Sequence, residues 1–236
     1  MYLSLFWVAL VFLAPVLALP PQRLRRAQSI KWGSCSFPQV GKLPIECGSL
    51  AVPLDYTASN STETLMLSLL RSKAPKPPAK SKGSILVNFG GPGFEAIHTL
   101  DVVADLLHKY VTQLELGSAL TGDSMTGGQH DLIAFDPRGV GKTLTFSCFD
   151  TPAARELANA KFPVLPIDAS DVALVDTWAN TKVFSNICAD KYKNSKAPEM
   201  IGTGFVARDM MQIVDALGED GLLRFWGPSQ FSVPKF

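Results

Sequence analysis

Two short runs of apolar residues constrain the fold of this chain more than any other feature. Residues 84–88 and 131–135 are apolar along nearly their whole length, and each run is bounded by glycine or proline turns. Continuous rather than alternating hydrophobicity is typical of strands that are covered on both faces, as in parallel sheets. The sequence therefore predicts two buried neighbouring strands with helices on either side of the sheet.

Two amphipathic segments are predicted to be those helices. Apolar residues recur at helical spacing in residues 99–114 and again in 203–217. In the second segment we expect Thr203 to cap the start and Gly218 to adopt the left-handed conformation past the end. With a further strand predicted at 222–226, the alternation indicates an α/β fold with a mainly parallel sheet and flanking helices.

The remaining segments indicate strands and loops around this centre. Residues 51–56 and 65–70 predict two early strands. The proline-rich residues 73–82 and the Gly/Ser/Thr-rich residues 117–128 predict exposed loops. Residues of about 150–200 carry weak helical patterns and are expected to be an excursion from the sheet.

The N-terminus has the pattern of a secretory leader. Residues 1–18 are uncharged and end in small residues, which predicts a signal peptide. An uncleaved membrane anchor is the alternative, but Pro15 interrupts the run, which barely reaches the roughly 20 residues needed to cross a bilayer. Residues 19–29, with the basic stretch 23–26, are then a pro-segment or linker. After cleavage we expect no stable membrane association and a secreted, extracellular protein.

The cysteine count fits an exported chain, because four cysteines can form two disulfides. Four cysteines can be joined into two disulfides in three ways, and we favour the way in which each disulfide closes a loop without crossing the core. A metal site is not expected, because no Cys-x-x-Cys spacing occurs. The favoured disulfides are Cys35 with Cys47 and Cys148 with Cys188. A separate feature typical of exported proteins is Asn60, which lies in a glycosylation sequon.

Nucleic-acid and nucleotide binding are not expected. A formal net charge of +1 gives no electrostatic footprint for nucleic acid. Gly141-Lys142-Thr143 resembles the end of a phosphate-binding loop, but Asp136 stands where that motif needs glycine. Asp136 and Arg138 are instead expected to pin neighbouring loops by hydrogen bonds and charge pairing. No cofactor is expected.

Three loops follow predicted buried strands, where open α/β sheets bind ligands. In the first loop, Gly90 and Gly91 can bring backbone N–H groups close to an anionic oxygen, as an oxyanion hole requires. The alternative is a glycine-rich turn with no ligand. The second loop contains Asp136 and Arg138, and the third begins at Gly227.

The third loop contains the candidate nucleophile Ser229. A nucleophile elbow has the form Gly-x-Ser-x-Gly, and Gly227 meets its first requirement whereas Phe231 fails its second. The alternative is an ordinary exposed serine. Such enzymes supply the acid and the histidine after the serine, but the three histidines of this chain, His98, His108 and His130, all precede it, so none is expected to be the general base.

Taken together, these motifs resemble the secreted tripeptidyl-aminopeptidase-like and proline-iminopeptidase-like serine peptidases of the α/β-hydrolase superfamily. The matching positions run almost continuously over 30–227 and include Trp32, Cys35, residues 46–48, 52–56, Asn88 with 90–93, 135–141, Cys148, 207–210, 216–219 and 225–227.

The resemblance implies a peptidase that forms an acyl-enzyme on Ser229, with Gly90 and Gly91 near the oxyanion and peptides as substrates. Family members carry a lid, the acid and the histidine in a C-terminal half, whereas the similarity here stops at Pro228. Residues 228–236 are therefore expected to be a tail foreign to the family, and the chain a truncated, inactive form. The alternative is a non-catalytic, secreted α/β binding module.

Overall fold

The computed structural model describes residues 29–75, 82–91, 93–114, 129–163, 166 and 168–227, and for residues 109–114 it describes the backbone only. Several predicted features lie outside this part of the chain: the leader at 1–18, most of the linker at 19–29, the loop at 117–128, and the tail at 228–236 with Ser229.

Within the described residues, six strands form one sheet in the order β1-β2-β3-β5-β4-β6. The run predicted at 131–135 is a strand with those bounds, and the run predicted at 84–88 ends one residue early. The strand predicted at 222–226 contributes only its last two residues. The strands are β1 (Lys31–Gly33), β2 (Ile45–Pro53), β3 (Thr64–Ser72), β4 (Ser84–Val87), β5 (Asp131–Phe135) and β6 (Phe225–Trp226).

The sheet is mixed, so the prediction of a mainly parallel sheet is only partly right. β4 pairs in parallel with both β5 and β6. The pairs β1–β2, β2–β3 and β3–β5 are antiparallel. A short connection from β2 to β3, closed by a backbone hydrogen bond of 3.0 Å from Leu54 to Glu63, permits only antiparallel pairing, because parallel neighbours need a long crossover.

Four helices and a short 3₁₀ turn at Ala197–Met200 occur in the described part of the chain: α1 (Ala96–Leu114), α2 (Pro152–Lys161), α3 (Ala173–Tyr192) and α4 (Thr203–Leu217). The predicted bounds of α4 are confirmed, and Gly218 is left-handed with φ of 66°. The prediction that Thr203 caps this helix is wrong. Gly202 occupies the cap position with no side-chain hydrogen bond, and Thr203 is already inside the helix.

The helices cover opposite faces of the sheet. Alternate residues of β4 and β5 point to α1, among them Ile85 and Leu132, and the residues between them, such as Leu86 and Ile133, point to α4. All four residues of β4 are buried. Burial on both faces explains why the runs are continuously apolar in the sequence.

Residues 150–200 hold helices and no described strand. This segment leaves the sheet after β5 and returns at α4. Aromatic side chains tie it together, since the ring of Phe184 lies 5.7 Å from that of Phe149 and 6.4 Å from that of Phe162. Both favoured disulfides are present: Cys148–Cys188 joins α3 to the residues just before this segment, and Cys35–Cys47 joins β2 to the connection that precedes it.

Candidate active site

The strand order predicts a crevice at the carboxyl ends of the parallel strands. β4 lies between β5 and β6, and the three are parallel, so their carboxyl ends meet at the same edge. The chain leaves β4 toward α1 on one face and leaves β5 toward α4 on the other. Loops that diverge to opposite faces open a crevice between neighbouring strands, which is where ligands bind in such sheets.

The predicted glycine loop and the approach to Ser229 are neighbours at this edge. The backbone N–H of Asn88 donates to the carbonyl of Trp226 at 3.0 Å. A Cβ added at Gly227 would lie 2.7 Å from ring carbons of Phe225 and 3.8 Å from the carbonyl oxygen of Asn88. A side chain at this position would require the Phe225 ring to move, so a small residue is favoured here, as in an elbow approach, whereas Ser229 itself is outside the described residues.

The glycine loop is built around left-handed backbone and one side-chain acceptor. Gly90, Gly91 and Gly93 have φ of 81°, 118° and 99°. Asn88 Oδ1 accepts the N–H of Gly90 at 2.8 Å, and this bond is buried. Of the two amides predicted to serve an oxyanion, that of Gly90 is therefore engaged within the loop, and Gly91 is partly exposed.

Asp136 is buried where the loops after β4 and β5 meet. Its Oδ1 accepts the backbone N–H of Ile97 in the first turn of α1 at 3.2 Å. Burial raises the pKa of Asp136 above its ordinary value, although the hydrogen bonds from the helix amides act in the opposite direction. The residue thus holds the loop after β5 against the start of α1.

Arg138 forms a fully buried ion pair with Asp209 of α4. The Nε–Oδ2 distance is 2.7 Å and the Nη2–Oδ1 distance is 2.9 Å, and neither side chain is exposed. Arg138 also donates to the carbonyls of Pro53, at 2.7 Å, and of Leu54. Arg138 thus joins the loop after β5, the end of β2 and α4.

Tyr56 completes this polar cluster. Its hydroxyl donates to Asp209 Oδ1 at 2.8 Å. Burial, reinforced by the charge of Asp209, raises the pKa of Tyr56, so the phenol stays protonated and remains a donor. With Arg138 and Tyr56 together, the buried carboxylate of Asp209 is satisfied on both oxygens.

The histidine nearest to the crevice is His98, in the first turn of α1. Its Nε2 lies 3.4 Å from Glu95 Oε2, and its ring lies 5.1 Å from that of Phe37. The side chain is 62% exposed. His98 is therefore held at the surface by Glu95 and Phe37.

The other two histidines lie at the opposite edge of the parallel strands. His108 is buried, and its Nε2 is 3.2 Å from Ser72 Oγ at the end of β3. Burial lowers the pKa of His108, although the charge of Asp131 opposes this shift. His130 immediately precedes β5 at the same edge. Neither is positioned to serve a nucleophile at the carboxyl edge.

Sequence reasoning missed the partners of the predicted residues. Asp209 lies on the same stripe of α4 as the buried Val206 and Ile213. A charged residue on the apolar stripe of a helix signals a buried partner, because an unpaired buried charge is costly. That signal was available in the sequence, but it does not name Arg138 or Tyr56 as the partner.

Three observations concern glycosylation, metal binding and membrane insertion. Asn60 is exposed in the connection between β2 and β3. No group of His, Cys, Asp or Glu side chains suited to a metal ion occurs among the described residues. None of the helices in that same part of the chain is long and apolar enough to span a membrane.

Comparison with known proteins identifies relatives over most of the chain. No protein-family model matches it. The chain is 33% identical to "Serine protease Hip1" of Mycobacterium tuberculosis (strain ATCC 25618 / H37Rv) over 232 residues, covering 92% of this chain and 40% of that protein.

Two further relatives carry different names. The chain is 28% identical to "Tripeptidyl aminopeptidase" of Streptomyces coelicolor over 207 residues, covering 87% of this chain and 34% of that protein. It is 30% identical to "Carboxylesterase B" of M. tuberculosis over 174 residues, covering 72% and 28%. The chain thus spans about two fifths or less of the length of these relatives.

Proposed function

Because this chain is a homologue of tripeptidyl-aminopeptidase-like serine peptidases over most of its length, we propose that it belongs to a secreted serine hydrolase of the α/β-hydrolase fold. The complete enzyme would remove short peptides from the N-terminus of peptide substrates. Export is supported by the two disulfides, which persist in oxidising compartments, and by the apolar leader pattern at 1–18.

One observation carries the proposal. The glycine loop that connects β4 to α1 lies beside the end of β6, which leads to Ser229. In α/β hydrolases the oxyanion hole combines an N–H from a strand-to-helix loop of this kind with the N–H of the residue after the nucleophile. The adjacency of the two loops supports the assignment of Ser229 as nucleophile and Gly91 as an oxyanion donor.

The chemistry proposed is acyl transfer in two steps. The hydroxyl oxygen of Ser229 attacks the scissile carbonyl carbon, its proton passes to a general base, and the developing oxyanion accepts the Gly91 N–H. The C–N bond then breaks, and the leaving amine takes the proton. Water hydrolyses the resulting ester and releases the peptide with its new carboxylate.

We assign no general base among the described residues. His98 is engaged by Glu95 and Phe37, and the other histidines lie at the far edge of the sheet. Enzymes of this fold supply the histidine after the nucleophile in chain order. A serine without a base is a poor nucleophile, so reaction at Ser229 needs a base that the described residues do not supply.

A fluorophosphonate probe tests the proposal directly. The purified protein is incubated with the probe and the modified residue is located by mass spectrometry. Modification at Ser229 that Ser229→Ala abolishes and that Ser232→Ala, the matched change in the same segment, leaves intact would support the proposal and would require that a base reaches Ser229. Faster hydrolysis of peptides with a free N-terminus than of their N-acetylated forms would support exopeptidase action.

A non-catalytic, secreted binding module is the second candidate. The observation favouring it is that the Gly90 amide is already used by Asn88 while no described histidine serves the crevice. A folded protein that resists the probe, yet binds peptides in a manner lost on substituting Gly91, would favour this candidate over the enzyme.

A further inference from the structure

The first turn of α1 has no acidic residue of its own. Glu95, which precedes the helix, accepts hydrogen bonds from the Thr99 N–H and hydroxyl through its carbonyl, at 3.3 and 2.8 Å. Its carboxylate turns to His98 instead. The exposed N–H groups of a helix start usually bond to a side-chain oxygen just before the helix, so here that oxygen must come from elsewhere.

Asp136 supplies the missing acceptor from 39 residues away. Its Oδ1 accepts the Ile97 N–H at 3.2 Å, and the residue is only 6% exposed. A carboxylate near the start of a helix is stabilised by the helix dipole as well as by the hydrogen bond. Asp136 therefore does for α1 what an N-cap side chain does in other helices.

The opposite side of the same carboxylate is closed by Gly141. This residue has φ of +55°, and a Cβ added there would lie 2.6 Å from Asp136 Oδ2. The carboxylate is thus confined between the turn that follows β5 and the start of α1.

This arrangement fixes the far end of the glycine loop. At its near end the loop is held by Asn88, which bonds to Trp226 of β6 and to the Gly90 N–H. Between the two ends, Gly90, Gly91 and Gly93 give the backbone little stiffness of its own. We propose that Asp136 is a positioning residue that keeps the glycine loop in place beside β6 by anchoring the first turn of α1. As a statement about catalysis, this inference rests on the proposed function.

Asp101 offers a matched control. It is also a buried carboxylate on α1 that accepts two backbone N–H groups, from Val40 at 2.9 Å and Gly41 at 3.2 Å. Its partners belong to the connection between β1 and β2, so these two hydrogen bonds do not involve the glycine loop. Asp136→Ala and Asp101→Ala therefore each remove a buried carboxylate that accepts backbone N–H groups, and only the first removes an acceptor from the first turn of α1.

Two measurements on the full chain test the proposal. In hydrogen exchange, Asp136→Ala should speed the exchange of the amides at 89–97 at least several-fold, and Asp101→Ala should leave them unchanged. In probe labelling, Asp136→Ala should lower the maximal rate constant by about 10- to 100-fold, as expected for a misplaced catalytic group, with the fraction finally labelled unchanged. A residue needed only for folding would lower the labelled fraction and not the rate constant.

The outcomes separate this inference from the proposed function. Equal exchange and equal labelling in Asp136→Ala and the unsubstituted protein would overturn the positioning role. Equal effects of Asp136→Ala and Asp101→Ala would also overturn it, because both would then act through general stability. If the unsubstituted protein is never labelled, the proposed function fails, and the exchange measurement alone decides whether Asp136 holds the loop.

Discussion

Substitution of Arg138 by methionine should cost the protein much of its stability. The change keeps the apolar stem but removes both bonds to Asp209, at 2.7 and 2.9 Å, and the bonds to the carbonyls of Pro53 and Leu54. Asp209 keeps only the hydroxyl of Tyr56. Removing one partner of a buried pair costs about 3–5 kcal/mol, because a charge is left uncompensated away from water.

Urea unfolding followed by circular dichroism measures this loss. With a denaturant slope of about 2 kcal/mol per molar, a loss of about 4 kcal/mol lowers the midpoint by about 2 M. The double variant Arg138→Met with Asp209→Leu should recover part of the loss, because no unpaired charge remains. The cycle should therefore give a coupling energy of about 2 kcal/mol or more.

The exposed pair of Lys191 and Asp150 is the control for this experiment. Its Nζ–Oδ1 distance is 2.8 Å, yet the Asp150 side chain is 93% exposed. Lys191→Met should cost less than about 1 kcal/mol, since surface ion pairs contribute little. A loss on Arg138→Met no larger than the loss on Lys191→Met would refute the claim that this buried cluster fastens α4 to the loop after β5.

Two further predictions concern a buried histidine and a left-handed glycine. Burial lowers the pKa of His108 below 6.5, so its contribution to stability is present above pH 6.5 and is lost as pH falls through the lowered pKa. The urea midpoint should therefore fall between pH 8 and pH 5, and it should fall less steeply in His108→Gln than in the unsubstituted protein. Gly141→Ala should lower the free energy of unfolding by about 1–3 kcal/mol more than Gly139→Ala. Both glycines are left-handed, but only a Cβ at Gly141 would clash with Asp136, whereas one at Gly139 has no neighbour closer than 3.6 Å. Equal thermal midpoints for the two variants would contradict this.

The elements that the sequence predicts best are those whose burial is complete or strictly periodic. β5 and α4 have their predicted bounds, because most residues of a doubly covered strand or of one helix face are apolar. β6 is shorter than predicted because strand length depends on the partner. The pairing with β4 begins at Phe225, and Leu222 is 63% exposed despite its apolar side chain.

The candidate site was less predictable than the fold, because its hydrogen bonds join distant segments. The sequence suggests that Asp136 and Arg138 pin loops, but their partners Ile97 and Asp209 are 39 and 71 residues away. A local pattern specifies the glycine loop through its left-handed positions. Which amides of that loop remain accessible depends on a single contact, between Asn88 and Gly90.

The position of the crevice follows from strand order, which periodicity does not encode. The chain makes β4, then β5 on one side of it, and then returns to make β6 on the other side. α1 and α4 pack on opposite faces of the sheet, and Asp136 joins the loop after β5 to the first turn of α1, with Gly227 on the other flank of the glycine loop. A change that moves α4 relative to the sheet, such as loss of the Arg138 pair, should therefore disturb the glycine loop from one side, and loss of the Asp136 bond should disturb it from the other. Since Asp136 and Arg138 lie two residues apart in the same turn, the free-energy effects of losing the two contacts should be coupled and not simply additive.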